Sequence, residues 1–416
     1  MSSILEKKLS HTIRSSRVPK VRCLIQKFCL ACQYVNQDDQ EGLTHKFEKH
    51  LQFLKSTSVL DKCTVLSPSS LDKKLGYRCL FKLAVRPGRF ERFGIGLFSP
   101  GTHQVVERMG SCVVHTQALM YLYEDISALF NASTLYPYDE ERRTGDIRYL
   151  VARSHHLTGE LMLTVVATRD VSAEIKKLSM DLRRRNHKLQ SVFININTST
   201  GNEIFGPETK HVLGSDALRE SVAGIQIDIP PTAFFQINPW QAEVLYQRIK
   251  QHLESTRDGV VWDFYCGIGT LSLMLAQVGR AVLGVEENAQ AVTWAAKNLY
   301  KNQEIKTIPK DAKAEFIAAK VEEVEKLLPT WADSPAAILV NPSRRGLHEE
   351  ARNMLAHVCR TKKSKFIYMS CSIETFTRDA EDLKTKGLIL KQLEAFDMFP
   401  YTDKLEWLGI FEPLSN

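Results

Sequence analysis

The chain has 416 residues, of which 44% are hydrophobic and 25% are charged, and its formal net charge is +7. This composition is typical of a globular protein with two or three domains. No run of about 18 apolar residues is present, which argues against a membrane span, and the N-terminus lacks the apolar segment of a secretory signal. We therefore expect a cytoplasmic protein. Nine cysteines in such a chain suggest metal binding or catalysis rather than a disulfide framework.

The first cysteines form a cluster behind a basic N-terminal extension, residues 1–22. In "VRCLIQKFCLACQY" the spacing of Cys23, Cys29 and Cys32 is C-x5-C-x2-C. These are three soft ligands on a short loop, one fewer than a closed metal site needs. The spacing alone fits an iron–sulfur cluster and a structural zinc equally well.

The sequence pattern up to residue 235 predicts strands that alternate with turns. Four β-rich runs are bounded by Gly, Asp, Ser or Asn and predict strands over 77–85, 148–154, 161–168 and 190–198. Two amphipathic helices are predicted near 116–130 and 172–187. We therefore predict an α+β domain over 23–235. The second helix is rich in Lys and Arg, which fits a solvated helix face as well as a contact with a polyanionic partner.

The sequence pattern changes after residue 235, where runs of continuous apolar residues, typical of buried strands, alternate with predicted helices. This pattern is typical of a doubly wound parallel sheet, so we predict a Rossmann-like α/β domain over 236–416. Its strands end in "DFYCG", "VEE", "NPSRR" and "MSC". The carboxyl ends of parallel strands meet at one edge, where open α/β sheets bind their ligands.

A cofactor site is predicted at the first of these strand ends. In "VVWDFYCGIGTLSLMLA", Gly267 and Gly269 permit a tight turn close to a ligand, and Glu286 ends the next strand, 23 residues after Asp263. The third glycine of the dinucleotide motif is missing, which favours a smaller nucleoside such as the adenosine of S-adenosylmethionine. A tight turn beside an exposed glutamate is the alternative.

Two further strand ends have side chains that could bind a ligand or react with it. Asn341-Pro342 places an amide at a stiff turn, and Arg344 and Arg345 offer donors suited to phosphate. Because an arginine stands where amine methylating enzymes keep an aromatic residue, methylation of an amine is disfavoured. Cys371 follows a strand, precedes a polar helix start and should lie near these arginines, so we predict a thiol of lowered pKa; a small buried hydrophobe is the alternative.

Glu406 is the remaining residue that could take part in acid–base chemistry. It lies in the apolar stretch "KLEWL", where burial would raise its pKa and suit it to act as a base. A partly exposed glutamate on a strand is the other interpretation.

Together these motifs resemble the RNA (uracil-5)-methyltransferases, the TrmA-like superfamily, and among them the RlmC type that acts on 23S ribosomal RNA. The stretches that carry the resemblance lie between residues 231 and 406 and are "PTAFFQINPWQAEVLY", "WDFYCGIGTLSL", "GVEENAQAV", "VNPSRRGL", "YMSCSIETFTRD" and "FDMFPYTDKLE". Asn341, in place of an aspartate, and the lack of an N-terminal β-barrel module favour the ribosomal type.

The resemblance implies a role for each site residue. It makes Cys371 the nucleophile that adds to uracil C6 and Glu406 the base that removes the C5 proton. Contacts to S-adenosylmethionine are implied or predicted for Gln236, Tyr265, Gly267, Gly269, Glu286 and Asn341. The resemblance favours a [4Fe-4S] cluster, with Cys23, Cys29, Cys32 and Cys112 as its ligands. The adenine contact is left open, with Asp311 as one option.

The resulting prediction is a monomeric enzyme that methylates C5 of a uridine in RNA, with ribosomal RNA as the favoured partner. The same chemistry on transfer RNA is the first alternative. A non-catalytic RNA-binding iron–sulfur protein is the second, and the presence of both Cys371 and Glu406 argues against it. A cytosine C5-methyltransferase fits less well, since such enzymes place the nucleophile after a proline.

Overall fold

The computed structural model describes residue 21 and residues 23–414, so almost all of the predicted extension, 1–22, lies outside the described residues. The helices are α1 (Gln26–Cys29), α2 (Asp39–Lys55), α3 (Gln117–Asn131), α4 (Ser172–Arg185), α5 (Pro239–Glu254), α6 (Thr270–Gln277), α7 (Ala289–Glu304), α8 (Glu349–Lys362) and α9 (Ile373–Thr385). None of the described helices has the length and apolarity to cross a membrane.

Seventeen strands accompany these helices in the described residues. In the first half they are β1 (Thr64–Ser69), β2 (Leu80–Pro87), β3 (Phe93–Phe98), β4 (Val105–Val106), β5 (Ile147–Ser154), β6 (Leu161–Ala167), β7 (Leu189–Ile196), β8 (Glu208–Gly214), β9 (Leu218–Val222) and β10 (Ile225–Ile229). In the second half they are β11 (Val260–Phe264), β12 (Val282–Glu286), β13 (Ala314–Ala318), β14 (Pro335–Val340), β15 (Lys365–Ser370), β16 (Leu388–Phe396) and β17 (Glu406–Pro413).

The C-terminal half is built on an eight-stranded sheet of order β1-β16-β17-β15-β14-β11-β12-β13. Five consecutive strands of it, from β15 to β13, are parallel. Numbered 1 to 5 in chain order, these strands lie across the sheet from β13 to β15 in the order 3-2-1-4-5, which is that of a doubly wound sheet. Apolar side chains of β11 and β14 pack on both faces of the sheet, which explains their continuous apolar sequences. The predicted Rossmann-like domain is confirmed.

The last strand of this sheet runs against the others. β17 lies between β15 and β16 and is antiparallel to both. The chain turns back through a loop after β16 and enters β17 in the opposite direction. The start of β17, and not its end, therefore lies beside the carboxyl ends of the parallel strands, where ligands bind.

The N-terminal half contains a seven-stranded sheet of order β4-β3-β2-β5-β6-β7-β8. Helices α3 and α4 cover one face of it, and Leu122, Ile126 and Leu182 are buried there with the strands. The two predicted helices and four predicted strands are all present, with ends that differ by at most three residues.

Two segments within the predicted domain 23–235 pack instead on the C-terminal half. β1 pairs in parallel with β16, and Leu43 and Leu54 of α2 are buried in the core of the C-terminal sheet. The hairpin β9–β10 packs against α7, where the Asn298 and Asn302 side chains accept from backbone N–H groups of β10. Strand patterns predict a strand but not the sheet that it joins, because the partner is distant in sequence.

Candidate active site

Cys371 lies at the tip of β15, between the last residue of the strand and Ser372, which caps α9 by accepting from the backbone N–H of Thr375 at 3.4 Å. The thiol is half-buried and lines a cavity of about 290 Å³. The strand therefore delivers Cys371 to the ligand-binding edge, as the sequence predicts.

Glu406 lies beside Cys371 because of the strand register. The antiparallel pairing of β15 with β17 ends with Ser370 opposite Trp407, and Cys371 and Glu406 are the residues next to this last pair. Residues opposite each other in an antiparallel pair have Cα atoms about 5 Å apart. The thiol and the carboxyl group are thus neighbours, although 35 residues separate them in the sequence.

The electrostatics of the thiol differ from the sequence-based expectation. The pKa of Cys371 is raised from 9.0, chiefly by burial and then by the negative charge of Glu406, while Arg344 lowers it. The prediction of a lowered pKa is therefore wrong for the free protein, because desolvation outweighs the arginine. Arg344 alone is therefore not enough to keep the Cys371 thiol ionised in the free protein.

The pKa of Glu406 behaves as predicted. The residue is 3% exposed, and burial raises its pKa from 4.5 to about 8, against the lowering effect of Arg344. A carboxyl group of this pKa is largely protonated near neutrality, but its pKa is close enough to that pH to allow proton transfer.

Arg344 is the charged side chain shared by these two acids. The sequence predicted arginines near the thiol, but not the effect of Arg344 on Glu406. The loop of Arg344 is tied to α9: the Thr375 hydroxyl donates to the Arg344 carbonyl at 3.2 Å, and Asp379 accepts from the Leu347 N–H at 2.8 Å. Asp379 also accepts from the Tyr368 hydroxyl at 2.7 Å. The buried carboxylate thereby fixes Arg344 relative to Cys371.

A second cleft opens on the other side of this loop. Of the predicted cofactor contacts, Gln236, Tyr265, Gly267 and Asn341 line it together, and Gly269 lies two residues beyond Gly267. Tyr265 has a left-handed backbone, with φ of 61°, a strained conformation that is common at functional sites. The structure therefore brings the predicted contacts to one place.

The two glycines of the turn have different roles. A Cβ on Gly267 would meet nothing within 4 Å, so the position leaves space for a ligand. A Cβ on Gly269 would lie 3.0 Å from both Ala295 and Phe316, so that glycine permits the turn to pack against α7 and β13. Both have positive φ, +56° and +84°.

Glu286 closes the turn from the end of β12. One carboxylate oxygen accepts from the Gly267 N–H at 3.2 Å and the other from the Asn288 N–H at 3.0 Å. A carboxylate offers about four acceptor positions, so two stay available for a pair of hydroxyl groups. This arrangement fits the predicted contact to a ribose.

Asp263 also lines the cleft, and the sequence did not single it out as a contact. Its carboxyl group is buried and accepts from the Ser272 hydroxyl at 2.5 Å. Burial raises its pKa to about 7. Its position as the last polar residue of a buried strand is the signal that would have identified it.

Asp311 does not lie at the cleft. It precedes β13, so it is at the opposite edge of the parallel sheet from the strand ends that bind ligands. Lys320, which follows β13, occupies the end of that strand.

The four predicted cluster ligands lie in one region. Cys29, Cys32 and Cys112 line the same cavity as Cys371, and Cys23 packs on the apolar cluster that borders it. Burial raises the pKa of Cys32 to about 12, and the charges of Cys112, Cys29 and Cys23 add to the rise. All nine cysteines are free thiols.

The cysteine sulfurs of the described residues do not form a compact group of three. A tetrahedral zinc with Zn–S bonds of about 2.3 Å brings its sulfurs to about 3.8 Å from one another. Within the described residues no three cysteine sulfurs lie within 4.8 Å of one another. The one compact group of ligand type in that part of the chain is His155, His156 and Glu220.

The two histidines of this group face Glu220 as hydrogen-bond donors rather than as metal ligands. The Nδ1 atom of His155 accepts from the N–H groups of Leu157 and Thr158, at 3.0 and 3.2 Å, which leaves the ring proton on Nε2. That Nε2 faces a carboxylate oxygen of Glu220 at 3.3 Å, and His156 Nδ1 faces the same oxygen at 2.7 Å. The buried Glu220 carboxylate therefore has both histidine rings as hydrogen-bond partners.

A glycine turn and an acidic strand end at a doubly wound sheet form the cofactor site of a nucleoside-dependent α/β transferase. Residues 130–412 match the sequence profile described as tRNA (Uracil-5-)-methyltransferase. An uncharacterized RNA methyltransferase of Listeria monocytogenes is 30% identical over 95% of this chain and 84% of its own length. Another, from Nostoc sp., is 30% identical over 92% of this chain and 81% of its own.

Among solved structures, the Pyrococcus abyssi tRNA (uracil-54, C5)-methyltransferase in complex with S-adenosyl-L-homocysteine superposes with a TM-score of 0.71. It is 23% identical and covers 92% of this chain and 84% of that one, which shows a shared fold. The chain belongs to the tRNA (uracil-5)-methyltransferase family. The predicted family and the predicted enzyme class, an S-adenosylmethionine-dependent RNA (uracil-5)-methyltransferase, are confirmed.

Proposed function

We propose that the protein methylates C5 of a uridine in RNA, with Cys371 as nucleophile and Glu406 as base. The observation that carries the proposal is the register of β15 and β17, whose last pair lies next to these two residues at the ligand-binding edge. Arg344 contacts this pair from the neighbouring loop. A methylation at oxygen or nitrogen would need neither a thiol nor a buried carboxyl.

The residues act in two steps. The Cys371 sulfur forms a bond to uracil C6, and the C5–C6 π electrons move toward O4, which makes C5 nucleophilic. Arg344 stabilises the thiolate before this step. After C5 has gained a methyl group, Glu406 takes the C5 proton, the C5–C6 double bond re-forms, and the C6–S bond breaks to return the thiolate.

S-adenosylmethionine supplies the electrophilic methyl group when it is bound, and its binding is part of the family chemistry. We assign Glu286 to the ribose hydroxyls and Gly267 to the close approach of the nucleoside. Gln236, Tyr265, Gly269 and Asn341 complete the turn and the walls of the cleft. The loop that carries Asn341 and Arg344 contributes one residue to each cavity, so the two cavities are neighbours. A target base in one can therefore lie beside a cofactor in the other.

We assign ribosomal RNA as the favoured substrate, on the resemblance of the sequence motifs to the ribosomal type. Transfer RNA is the second candidate, favoured by the description of the matching family profile. A monomeric state is part of the same proposal. The target base must leave its stack to reach Cys371, which RNA loops and bulges allow.

The test is to incubate the protein with methyl-labelled cofactor and separated, unmodified ribosomal and transfer RNAs, then to digest the RNA to nucleosides. We expect label in 5-methyluridine from ribosomal RNA, and none with Cys371→Ala. Label in another nucleoside, or activity that survives Cys371→Ala, contradicts the reaction. Label in transfer RNA alone contradicts only the choice of substrate.

We further propose that Cys23, Cys29, Cys32 and Cys112 hold a [4Fe-4S] cluster. The support is a set of four soft ligands, of which Cys29, Cys32 and Cys112 line one cavity, together with the resemblance of the sequence motifs. The cluster would stabilise the thiolates of Cys29, Cys32 and Cys112, whose pKa values burial otherwise raises.

The cluster proposal predicts about four irons and four sulfides per chain after anaerobic purification. Cys32→Ser should lose most of the iron. Cys63→Ser is the matched control, since Cys63 is also half-buried but lies outside the cavity, and it should keep the iron. A colourless protein that contains zinc would overturn the assignment.

A further inference from the structure

The segment that joins β16 to β17, residues 397–405, shapes the space beside the nucleophile. We call it the base loop because Glu406 follows it directly. Phe399, Thr402, Asp403 and Lys404 of this loop line the cavity together with Cys371. The path of the base loop therefore determines where the Glu406 carboxyl group lies relative to a base bound in the cavity.

Lys46 holds both ends of the base loop from α2. Its Nζ atom donates to a carboxylate oxygen of Asp397, and to the carbonyls of Phe399 and Lys404, each at 3.3 Å. The ammonium group has three donors, and all three are used. Asp397 and Phe399 begin the loop and Lys404 nearly ends it, so one side chain ties together the start and the end.

The anchor is itself fixed. The second carboxylate oxygen of Asp397 accepts from the Ser70 hydroxyl at 2.8 Å, and its backbone N–H donates to the Ser69 carbonyl at 2.8 Å. Lys46 is 1% exposed and Asp397 is 3% exposed. The base loop is thus attached to the end of β1 as well as to α2.

Stability alone gives little reason to keep this pair. A buried ion pair pays a desolvation cost that an apolar pair of similar volume does not, and replacing both partners with apolar residues is often neutral or stabilising. What an apolar pair cannot do is bind two backbone carbonyls of the loop. The use of the ammonium group on those carbonyls points to a requirement for a particular loop conformation.

We propose that Lys46 is a positioning residue that holds the base loop so that Glu406 faces C5 of the target uracil. The inference rests on the proposed role of Glu406 as the base. Lys46 does not touch the reacting atoms, and it acts only through the base loop. Removal of its ammonium group should therefore impair the removal of the C5 proton more than the addition of the thiolate.

The test compares Lys46→Met with Lys49→Met in single-turnover reactions on RNA. Lys49 is the matched control because it is on the same helix and approaches Asp403 of the same loop at 3.6 Å, but its side chain is exposed, where ion pairs contribute little. Two quantities are measured in each reaction: the S-adenosylhomocysteine formed, which reports methyl transfer, and the RNA–protein adduct that survives denaturation, which reports delayed proton removal.

We expect Lys46→Met to form S-adenosylhomocysteine at a rate near that of the wild type and to accumulate the adduct, with release of methylated RNA slowed by about 10²-fold, the cost of a misplacement near 1 Å. Its affinity for the cofactor should be unchanged. Lys49→Met should resemble the wild type in every measurement.

Equal loss of methyl transfer and release in Lys46→Met, or no more adduct than in the wild type, would overturn the inference. If Lys46→Met does not fold, Lys46→Gln, which keeps a donor amide, is measured in the same way; failure of both to fold would assign Lys46 to folding instead. A wild-type protein that makes no 5-methyluridine contradicts the proposed function and is distinguished from these results by its lack of product.

Discussion

Arg344 is the residue through which the two acids of the site are linked. It lowers the pKa of the Cys371 thiol and of the Glu406 carboxyl group, whereas burial raises both. In the free protein burial prevails, so both groups are largely protonated near neutrality. Such a site keeps its thiol unreactive until substrate binding changes the balance of charge and solvent around it.

Removal of the arginine should make the thiol less acidic still. We predict that Arg344→Met raises the pKa of Cys371 further, by about one unit or more, the usual effect of one close charge. The measurement is the pH dependence of alkylation at Cys371, read by mass spectrometry of its peptide.

Arg345→Met is the control, since Arg345 is also exposed and does not act on the Cys371 thiol, and it should leave the alkylation profile unchanged. An identical shift in both variants would show a general loss of positive charge rather than a contact with the thiol.

Glu406 imposes a cost on the folded state that depends on pH. The unfolded chain releases the proton near pH 4.5, whereas the folded chain keeps it to about pH 8. Between these values the folded state binds more protons, so the contribution of Glu406 to the free energy of unfolding falls as pH rises.

Glu406→Gln should therefore gain stability relative to the wild type as pH increases. We predict similar unfolding free energies at pH 5, and a difference in favour of the variant that grows by on the order of 1.4 kcal/mol per pH unit up to about pH 8. Chemical denaturation at several pH values measures this. A difference that is constant with pH would show that Glu406 titrates as an exposed carboxylate does.

At the scale of elements, the parallel part of the C-terminal sheet could be predicted from sequence, but the direction of β17 could not. Strands buried on both faces have continuous apolar sequences, as "AAILV" shows, and their alternation with helices indicates parallel connections. β17 has the same apolar character. Its antiparallel pairing with β15 depends on the length and packing of the base loop, which local patterns do not encode.

Gly267, in the turn between β11 and α6, has a matched control in Gly279, which lies beyond the end of α6. Gly267 and Gly279 both have positive φ, +56° and +81°, and a Cβ on either would meet nothing within 4 Å. Only Gly267 faces the cofactor cleft; Gly279 follows the end of α6.

An alanine at either position should cost about 1–2 kcal/mol in stability, from the left-handed backbone. Only Gly267→Ala should weaken S-adenosylmethionine binding, because its methyl group enters the space for the ligand. Calorimetric titration of both variants measures the affinity, and an equal effect on both would contradict the assignment of the cleft.

At the scale of the whole molecule, the site is held from both halves of the chain. Arg153 of β5 donates to the carbonyls of Ala233 and Phe235, each at 3.4 Å, and so supports the segment that carries Gln236. The Tyr34 N–H, near the cysteine loop, donates to the carbonyl of Tyr401 in the base loop at 2.9 Å. The N-terminal half therefore supports both walls of the catalytic edge.

This organisation explains which parts of the account the sequence could provide. Motifs at strand ends predicted Cys371, Glu406 and the cofactor turn, because the chemistry of each is local to a few residues. The role of Lys46 and the effect of Arg344 on Glu406 were not predictable, since each depends on an interaction between distant segments. The domain boundary at residue 235 differs from the packing for the same reason, as β1 and β9–β10 join the C-terminal half.

The central claim is that Cys371 forms a covalent bond to the target uridine and that Glu406 is needed to break it. The most direct measurement uses Glu406→Gln with methyl-labelled cofactor and unmodified ribosomal RNA, followed by denaturing electrophoresis and peptide mapping. The covalent mechanism predicts a stable RNA–protein adduct that carries the methyl label and is linked through Cys371. Free 5-methyluridine RNA without an adduct, or an adduct through another residue, would contradict it.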